Sequence, residues 1–440
     1  MQIGGGELMT YEEALGYLSS MQRFGIKPGL SRVEALALEL GNPERRMKHL
    51  HIAGTNGKGS VAAMAESVLR QAGIKTGLFT SPHLCRYEER IKVCGRQISE
   101  DELARLASDA KGIVDELAGR GIESPTEFEI CTAMCLEHFK DQGVELAVME
   151  VGLGGRYDST NIVVPEASVI THISYDHMEK LGKSLSQIAF DKGGILKKGV
   201  PAVLARQEDE ALGMIKREAA AKGVRLSYPE HGYSYRTVKV GLTGTELEYD
   251  GDLLEGTFKT RLVGVHQADN AAAALAAIDA MMGLGWDITR DDARQGLMEA
   301  VHPGRFEVVG KDPMMIFDGA HNVDGAAALA ATLGKVMGGV RPVAVAGFSA
   351  DKDYSGMLGH LAPRISCLFA TAPSHARSGA RDSEAVAEEA KRLGLEAVSL
   401  GPPEEALAAG LARAREKCLP LLVCGSLYLV GELRSRLLAD

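Results

Sequence analysis

No stretch of this chain reaches the about 18 consecutive apolar residues that carry a helix across a bilayer, so a membrane span is not expected. The opening residues Met1-Gln2-Ile3-Gly4-Gly5-Gly6-Glu7 have neither a basic n-region nor an apolar h-region, so a secretory signal is not expected either. Cysteine is sparse. The seven residues at 85, 94, 131, 135, 367, 418 and 424 are odd in number and contain no Cys-x-x-Cys pair and no Cys/His spacing suited to zinc. A disulfide framework is therefore excluded and a reducing cytoplasm expected. Positive charge is in deficit: 49 Lys and Arg face 59 Asp and Glu, a net −10, which argues against nucleic acid or an anionic membrane as partner. A locally basic pocket stays open. No internal repeat or low-complexity tract stands out, and 45% apolar and 25% charged residues with 51 glycines exclude collagen-like, linker and coiled-coil chains.

What is present is enough chain for more than one core. A length of 440 residues implies two domains, with three as an upper bound. Short apolar runs alternate with amphipathic stretches, the pattern of a parallel sheet with crossover helices, so the fold class is α/β. Strands are expected at 47–53, 75–80, 144–151 and 167–173, and helices at 59–72, 100–119 and 126–142. Between about 232 and 264 the texture changes to alternating Tyr, Thr, Val and Leu with Gly-Asp turns, predicting a small antiparallel decoration before a helix at 267–283. A fresh alternation follows 303: strands at 313–318, 342–347, 366–371, 395–399 and 419–424, and helices at 323–337, 382–393 and 403–417. It reads as a second, smaller doubly wound unit. Pro303-Gly304 breaks the chain, so the expected domains are 1–302 and 303–440.

The strongest local signal is Gly54-Thr55-Asn56-Gly57-Lys58-Gly59-Ser60, between a predicted strand and a predicted helix. Glycines let the backbone curl until successive N–H groups share one concavity, the helix N-terminus adds partial positive charge, and Lys58 adds a full one. This is a phosphate cradle, though not a strict Walker loop: Ile52 stands where the first glycine belongs, and Gly59 separates Lys58 from Ser60. A second signal runs from Glu150 through Gly152-Leu153-Gly154-Gly155-Arg156-Tyr157-Asp158 to Asn161 at the end of an apolar strand. A carboxylate at that place suits Mg²⁺ ligation beside a nucleotide. A dinucleotide loop fits less well, because Tyr157 fills the third glycine position and the acid precedes the glycines. Taken singly, Asp176-His177 reads as a surface hydrogen-bonded pair, Lys192 as a solvated lysine and Ser81 as a turn residue. Their position beside strand ends that should converge on the phosphate loop argues for more.

Together these motifs resemble those of the Mur ligase superfamily, and within it the folylpolyglutamate synthase/dihydrofolate synthase family. The resemblance rests on Arg23-Phe24-Gly25 with Lys27-Pro28-Gly29-Leu30, Gly54 to Ser60, Thr80-Ser81-Pro82-His83-Leu84, Glu150 to Asn161, Asp176-His177, His266-Gln267-x-x-Asn270, Gly304-Arg305 and Asp318-Gly319-Ala320-His321-Asn322. It implies an ATP-dependent amide ligase that joins L-glutamate to the γ-carboxylate of a folate, or to dihydropteroate, through an acyl phosphate. By the same resemblance Lys58 holds the nucleotide phosphates. Ser81 and Glu150 bind one Mg²⁺, and Glu150, His177 and a Lys192 carbamylated by CO₂ bind a second. Asn270 contacts adenine, and Arg305 and Asp318 reach the phosphate and ribose. Thr126, Phe128 and Asp158 line a folate pocket, while His321 and Ser426 receive the incoming glutamate. A hinge at Pro303-Gly304 would close the smaller domain over a nucleotide in the cleft between the two. The family is often monomeric, and a monomer is expected. Two other readings compete: a cell-wall Mur ligase adding an amino acid to a UDP-sugar peptide, against which the mere 53 residues before Gly54 count, and a nucleotide-gated regulatory ATPase.

Overall fold

The computed structural model describes residues 8–22, 27–374 and 378–438. The Arg23-Phe24-Gly25 motif and the first seven residues lie outside the described residues. Two compact units emerge: one of residues 1–235, 249–256 and 270–299, the other of 236–248, 257–269 and 300–440.

The first unit is built on a parallel sheet. Its strands are β1 (Lys48–Ala53), β2 (Thr76–Phe79), β3 (Ile91–Val93), β4 (Arg96–Gln97), β5 (Leu146–Glu150), β6 (Ala167–Ile170), β7 (Ala202–Leu204) and β8 (Leu226–Pro229). They stand in the order β8-β7-β6-β1-β5-β2-β3-β4. Pairing is parallel from β8 to β2, and only the β2–β3 and β3–β4 pairs are antiparallel. Helices on both faces bury the central strands, so β5 (Leu-Ala-Val-Met-Glu) is buried at every position and β1 at all but Lys48. β5 reads as a near-continuous apolar run because neither face meets water, whereas β1 buries His49 and His51 among its apolar residues. Helices Tyr11–Met21, Ser31–Glu39, Glu100–Gly119 and Glu127–Asp141 pack one face, with Leu18, Leu36, Leu103, Met134 and Phe139 in a common core. Past β8 the sheet order continues through β9 (Gly232–Gly241), β10 (Gly244–Asp250) and β11 (Glu255–Thr260). The two-residue link between β9 and β10 is that of a hairpin; this is the expected decoration, although residues 236–248 and 257–269 group with the second unit.

The second unit is a smaller doubly wound sheet. Its strands are β12 (Glu307–Val309), β13 (Met315–Asp318), β14 (Val343–Ala346), β15 (Cys367–Ala370), β16 (Glu396–Ser399) and β17 (Leu421–Cys424), in the order β12-β13-β17-β14-β15-β16. All neighbours are parallel except β12 and β13. Among the described residues no helix is long and apolar enough to cross a membrane.

Helix Arg290–Glu299 crosses helix Lys58–Gln71 at Gly296, where an added Cβ would fall on the backbone of Val68. Alanine normally favours a helix over glycine by about 1 kcal/mol. Here the main chain cannot yield, so Gly296→Ala should cost about 1–3 kcal/mol through overpacking, read as a lowered melting temperature. A raised melting temperature would show that the two helices part easily.

Candidate active site

The order β2-β5-β1-β6 sets the carboxyl ends of four parallel strands side by side, the edge of an open α/β sheet where ligands bind. Ser81 follows β2, Glu150 ends β5, the Gly54–Ser60 loop follows β1, and Thr171 to His177 follow β6. The register is direct: Ile52 of β1 stands opposite Glu150, and the Val151 N–H donates to the Ile52 carbonyl at 2.9 Å.

Two glycines make the loop possible. Gly54 has φ 149°, and Thr171 Oγ1 occupies the place where its Cβ would be; Gly57 has φ 93°, and Asn270 Oδ1 occupies the corresponding place. Any other residue would collide at either position as well as meet a disfavoured backbone conformation. Gly57 is the N-cap of helix Lys58–Gln71, whose first N–H groups have no partner within the helix. The Thr55 and Asn56 N–H groups do not join the concavity. Both donate to the His172 carbonyl, at 2.9 and 3.2 Å, and tie the loop to the segment after β6. Thr55 Oγ1 exchanges two further hydrogen bonds with the Ser174 backbone, each 3.1 Å.

Lys58 Nζ donates to the Gly54 and Thr55 carbonyls, both at 3.2 Å. Lys192, the last residue of helix Leu185–Lys192 and buried, donates to the same Gly54 oxygen at 2.7 Å. The two amines thus converge on one carbonyl, and among the described residues neither forms an ion pair. Burial, then the charge of Lys58, lowers the Lys192 pKa from 10.5 to about 7, against the opposing pull of Asp191, Asp176 and Asp158. Lys192 is therefore not the solvated lysine its local sequence suggests.

Glu150 is buried, and its Oε2 accepts the Ser81 N–H at 3.3 Å. His177 caps the short helix Met178–Leu181 at φ 49°, with its Nε2 3.9 Å from Asp176 Oδ1. Among the described residues no cluster of three or more His, Cys, Asp or Glu side chains is placed to hold a metal by itself. A buried carboxylate beside a serine suits Mg²⁺ as that ion is usually held near nucleotides, by one or two protein ligands with water and phosphate oxygens filling the octahedron.

The three candidate folate residues also share a neighbourhood. Thr126 closes a capping box with Glu129 at the start of helix Glu127–Asp141, and Glu129 pairs with buried Arg32 at 2.9 Å. Phe128 stacks on Phe79 with centroids 5.7 Å apart, and its ring fills the space a Gly152 Cβ would need. Asp158 Oδ2 accepts the Leu153 N–H at 2.9 Å, while Oδ1 accepts the Thr160 N–H at 3.0 Å. Burial raises its pKa, and these donors oppose the rise. The sequence reading missed the frame behind this wall: Arg90 donates to Glu127 and to His83 Nδ1, both at 2.9 Å, and Tyr87 donates to Glu127 at 2.7 Å. Only the Glu-Glu-Arg run at 88–90 hinted at it.

In the second unit β13 and β17 are neighbours, with Asp318 opposite Cys424. Asp318 accepts the Phe306 and Ala320 N–H groups at 2.9 and 2.8 Å. Arg305 Nη1 donates to the Gly319 carbonyl at 3.4 Å, and His321 Nδ1 to the same oxygen at 2.9 Å, which fixes the His321 tautomer. Ser426 is buried, with its Oγ accepting the Tyr428 N–H at 3.2 Å. Leu427 fills the space beside Gly319, so the turns after β13 and β17 touch. The structure thus gathers Lys58, Ser81, Glu150, His177, Lys192 and Asn270 around the strand ends of one unit, and Arg305, Asp318, His321 and Ser426 around those of the other.

Residues 52–278 match the Mur ligase middle domain, and residues 304–427 match the Mur ligase glutamate ligase domain. A Bacillus subtilis protein named dihydrofolate synthase/folylpolyglutamate synthase is 34% identical over 432 residues, covering 97% of this chain and 99% of the relative. The fold superposes on Mycobacterium tuberculosis folylpolyglutamate synthase complexed with ADP with a TM-score of 0.86 at 30% identity, over 96% of this chain and 98% of that one. An Escherichia coli protein solved in complex with DHPP and ADP gives a TM-score of 0.87 at 31% identity, over 98% of both chains.

The depressed Lys192 pKa makes stability depend on pH. Between pH 7 and 10.5 the unfolded chain holds the Lys192 proton more tightly than the folded one, so stability rises with pH across that window. Below it the folded state carries a buried cation at full cost. Lys192→Met should therefore be more stable than the parent near pH 6 in CO₂-free buffer, by on the order of 2 kcal/mol, with the advantage shrinking towards pH 10. Urea unfolding at both ends of the range measures this, and a variant less stable near pH 6 would contradict the assignment.

Proposed function

The chain belongs to the Mur ligase family, and we propose that its substrates are ATP, L-glutamate and a folate bearing a free γ-carboxylate, which it joins in an amide bond. The carrying observation is the edge of the first sheet, where four neighbouring strand ends carry a glycine loop, with two amines converging on one of its carbonyls, and a buried carboxylate. Relatives of near-equal length bear folate-ligase names, and a solved neighbour holds ADP. The chain is an acid–amino-acid ligase, and ATP is its energy source.

A carboxylate is a poor electrophile at neutral pH. Transfer of the γ-phosphoryl group onto it gives an acyl phosphate; the glutamate amine attacks the carbonyl carbon, and phosphate leaves with the carboxylate's former oxygen. The difficulty is electrostatic, because triphosphate, folate carboxylate and glutamate are all anions. Lys58 and the N-terminus of helix Lys58–Gln71 receive the phosphates, stabilising charge where the transfer spreads it. Glu150, Ser81 and His177 would hold Mg²⁺, which neutralises phosphate charge when bound. Thr126, Phe128 and Asp158 are assigned to the folate, Asn270, Arg305 and Asp318 to the nucleotide, and His321 and Ser426 to glutamate.

Lys192 carries a finer proposal. A pKa near 7 leaves much of the amine neutral, the form that adds CO₂ to give a carbamate. Carbamylation would convert a buried cation into an oxygen donor suited to a second Mg²⁺. We further assign the chain to the cytoplasm, in keeping with seven free thiols, and to a monomeric state.

The test is ligation by the purified protein. With MgATP, labelled glutamate and either a tetrahydrofolate or dihydropteroate, a new amide should form with release of ADP. Lys58→Ala and Glu150→Ala should remain folded by circular dichroism yet lose on the order of 10²–10³-fold in turnover. ADP without amide would favour a regulatory ATPase, and turnover of a UDP-sugar peptide in place of folates would favour a cell-wall ligase.

A further inference from the structure

His51 lies in β1, three residues before Gly54, and is wholly buried. An imidazole in a central strand is an expense unless its polar atoms bond. Its Nε2 lies 2.9 Å from Thr160 Oγ1, and Thr160 Oγ1 lies 2.5 Å from Asp158 Oδ1. Asp158 already accepts the Thr160 and Leu153 N–H groups, so it is the acceptor here, and the single Thr160 hydroxyl hydrogen goes to it. The Thr160 oxygen must then accept, which places the His51 proton on Nε2. His51 Nδ1 is left buried without a hydrogen bond. One directed chain therefore runs from His51 through Thr160 to Asp158.

The far end of that chain is the proposed folate wall. Asp158 holds the Gly152-Leu153-Gly154 turn by the Leu153 N–H, and Phe128 rests against Gly152. Thr132 ties down Ser159, the residue between Asp158 and Thr160, with their hydroxyls 2.7 Å apart. A threonine hydroxyl alone can rotate among three wells. Donation from His51 leaves one orientation in which it both accepts and donates. His51 is thus placed to set where the Asp158 carboxylate sits, from the same strand that carries the phosphate loop.

We propose that His51 is a positioning residue for the folate substrate, acting through Thr160 on Asp158, and not a residue that touches substrate. The inference rests on the assignment of Asp158 to the folate pocket. Steady-state kinetics of the full-length protein test it, with ATP and folate varied separately. His51→Leu and Thr160→Val each remove a link and should raise the folate KM about tenfold, with the ATP KM changing less than about twofold, as expected for one lost hydrogen bond in a site. His51→Gln keeps an N–H donor and Thr160→Ser keeps the hydroxyl, so both should stay within about threefold of the parent. Should the His51 variants fail to fold, the near-isosteric Thr160 pair still decides. If Thr160→Val matches Thr160→Ser, or both KM values rise together, the relay has no positioning role. A parent protein that never ligates glutamate to a folate would overturn the functional reading and this inference with it; an active parent with unaltered variants overturns this inference alone.

Discussion

One carbonyl oxygen carries an unusual load. Gly54 O accepts hydrogen bonds from both Lys58 and Lys192, and neither amine forms an ion pair among the described residues. Burial of Lys192, and after it the charge of Lys58 beside it, disfavours the ammonium, which is why the Lys192 pKa falls to about 7. The fold tolerates the arrangement because strand register and glycine geometry over-determine it. Gly54 cannot be another residue beside Thr171, and the loop is bolted to the His172 carbonyl by two N–H groups. What relieves the conflict is an anion, and a triphosphate brings several charges at once.

The net charge of −10 takes on its meaning against this site. It speaks against polyanionic partners, yet the proposed substrates are anions too. Selectivity then comes from concentration of positive charge at one edge of one sheet, not from a basic surface. The second unit uses backbone donors in a similar economy. The Phe306 and Ala320 N–H groups hold Asp318 in place, and Arg305 and His321 meet on the Gly319 carbonyl.

Much of this was legible in the sequence where chemistry is local. The expected strand at 47–53 and helix at 59–72 match Lys48–Ala53 and Lys58–Gln71, since buried parallel strands and glycine-started helices leave strong local patterns. Helix Glu100–Gly119 and helix Pro403–Lys417 fall where periodicity puts them. Helix Tyr11–Met21 does not stand out in the sequence despite a capping box between Thr10 and Glu13, and the short strands β7 and β8 carry too few residues to show a period. In the site, strand-end residues could be found because topology places them. The depressed pKa of Lys192, the Arg90–Glu127–His83 frame and the His51–Thr160–Asp158 chain could not, because each joins residues whose proximity exists only after folding.

The assembled site predicts activation of a carboxylate by phosphoryl transfer, and oxygen-isotope tracing tests that route most directly. A folate substrate labelled with ¹⁸O in its γ-carboxylate is incubated with ATP, Mg²⁺ and glutamate, and the released inorganic phosphate is analysed by mass spectrometry. Passage through an acyl phosphate delivers one carboxylate oxygen to phosphate for every amide bond formed. Unlabelled phosphate accompanying full amide formation would contradict it.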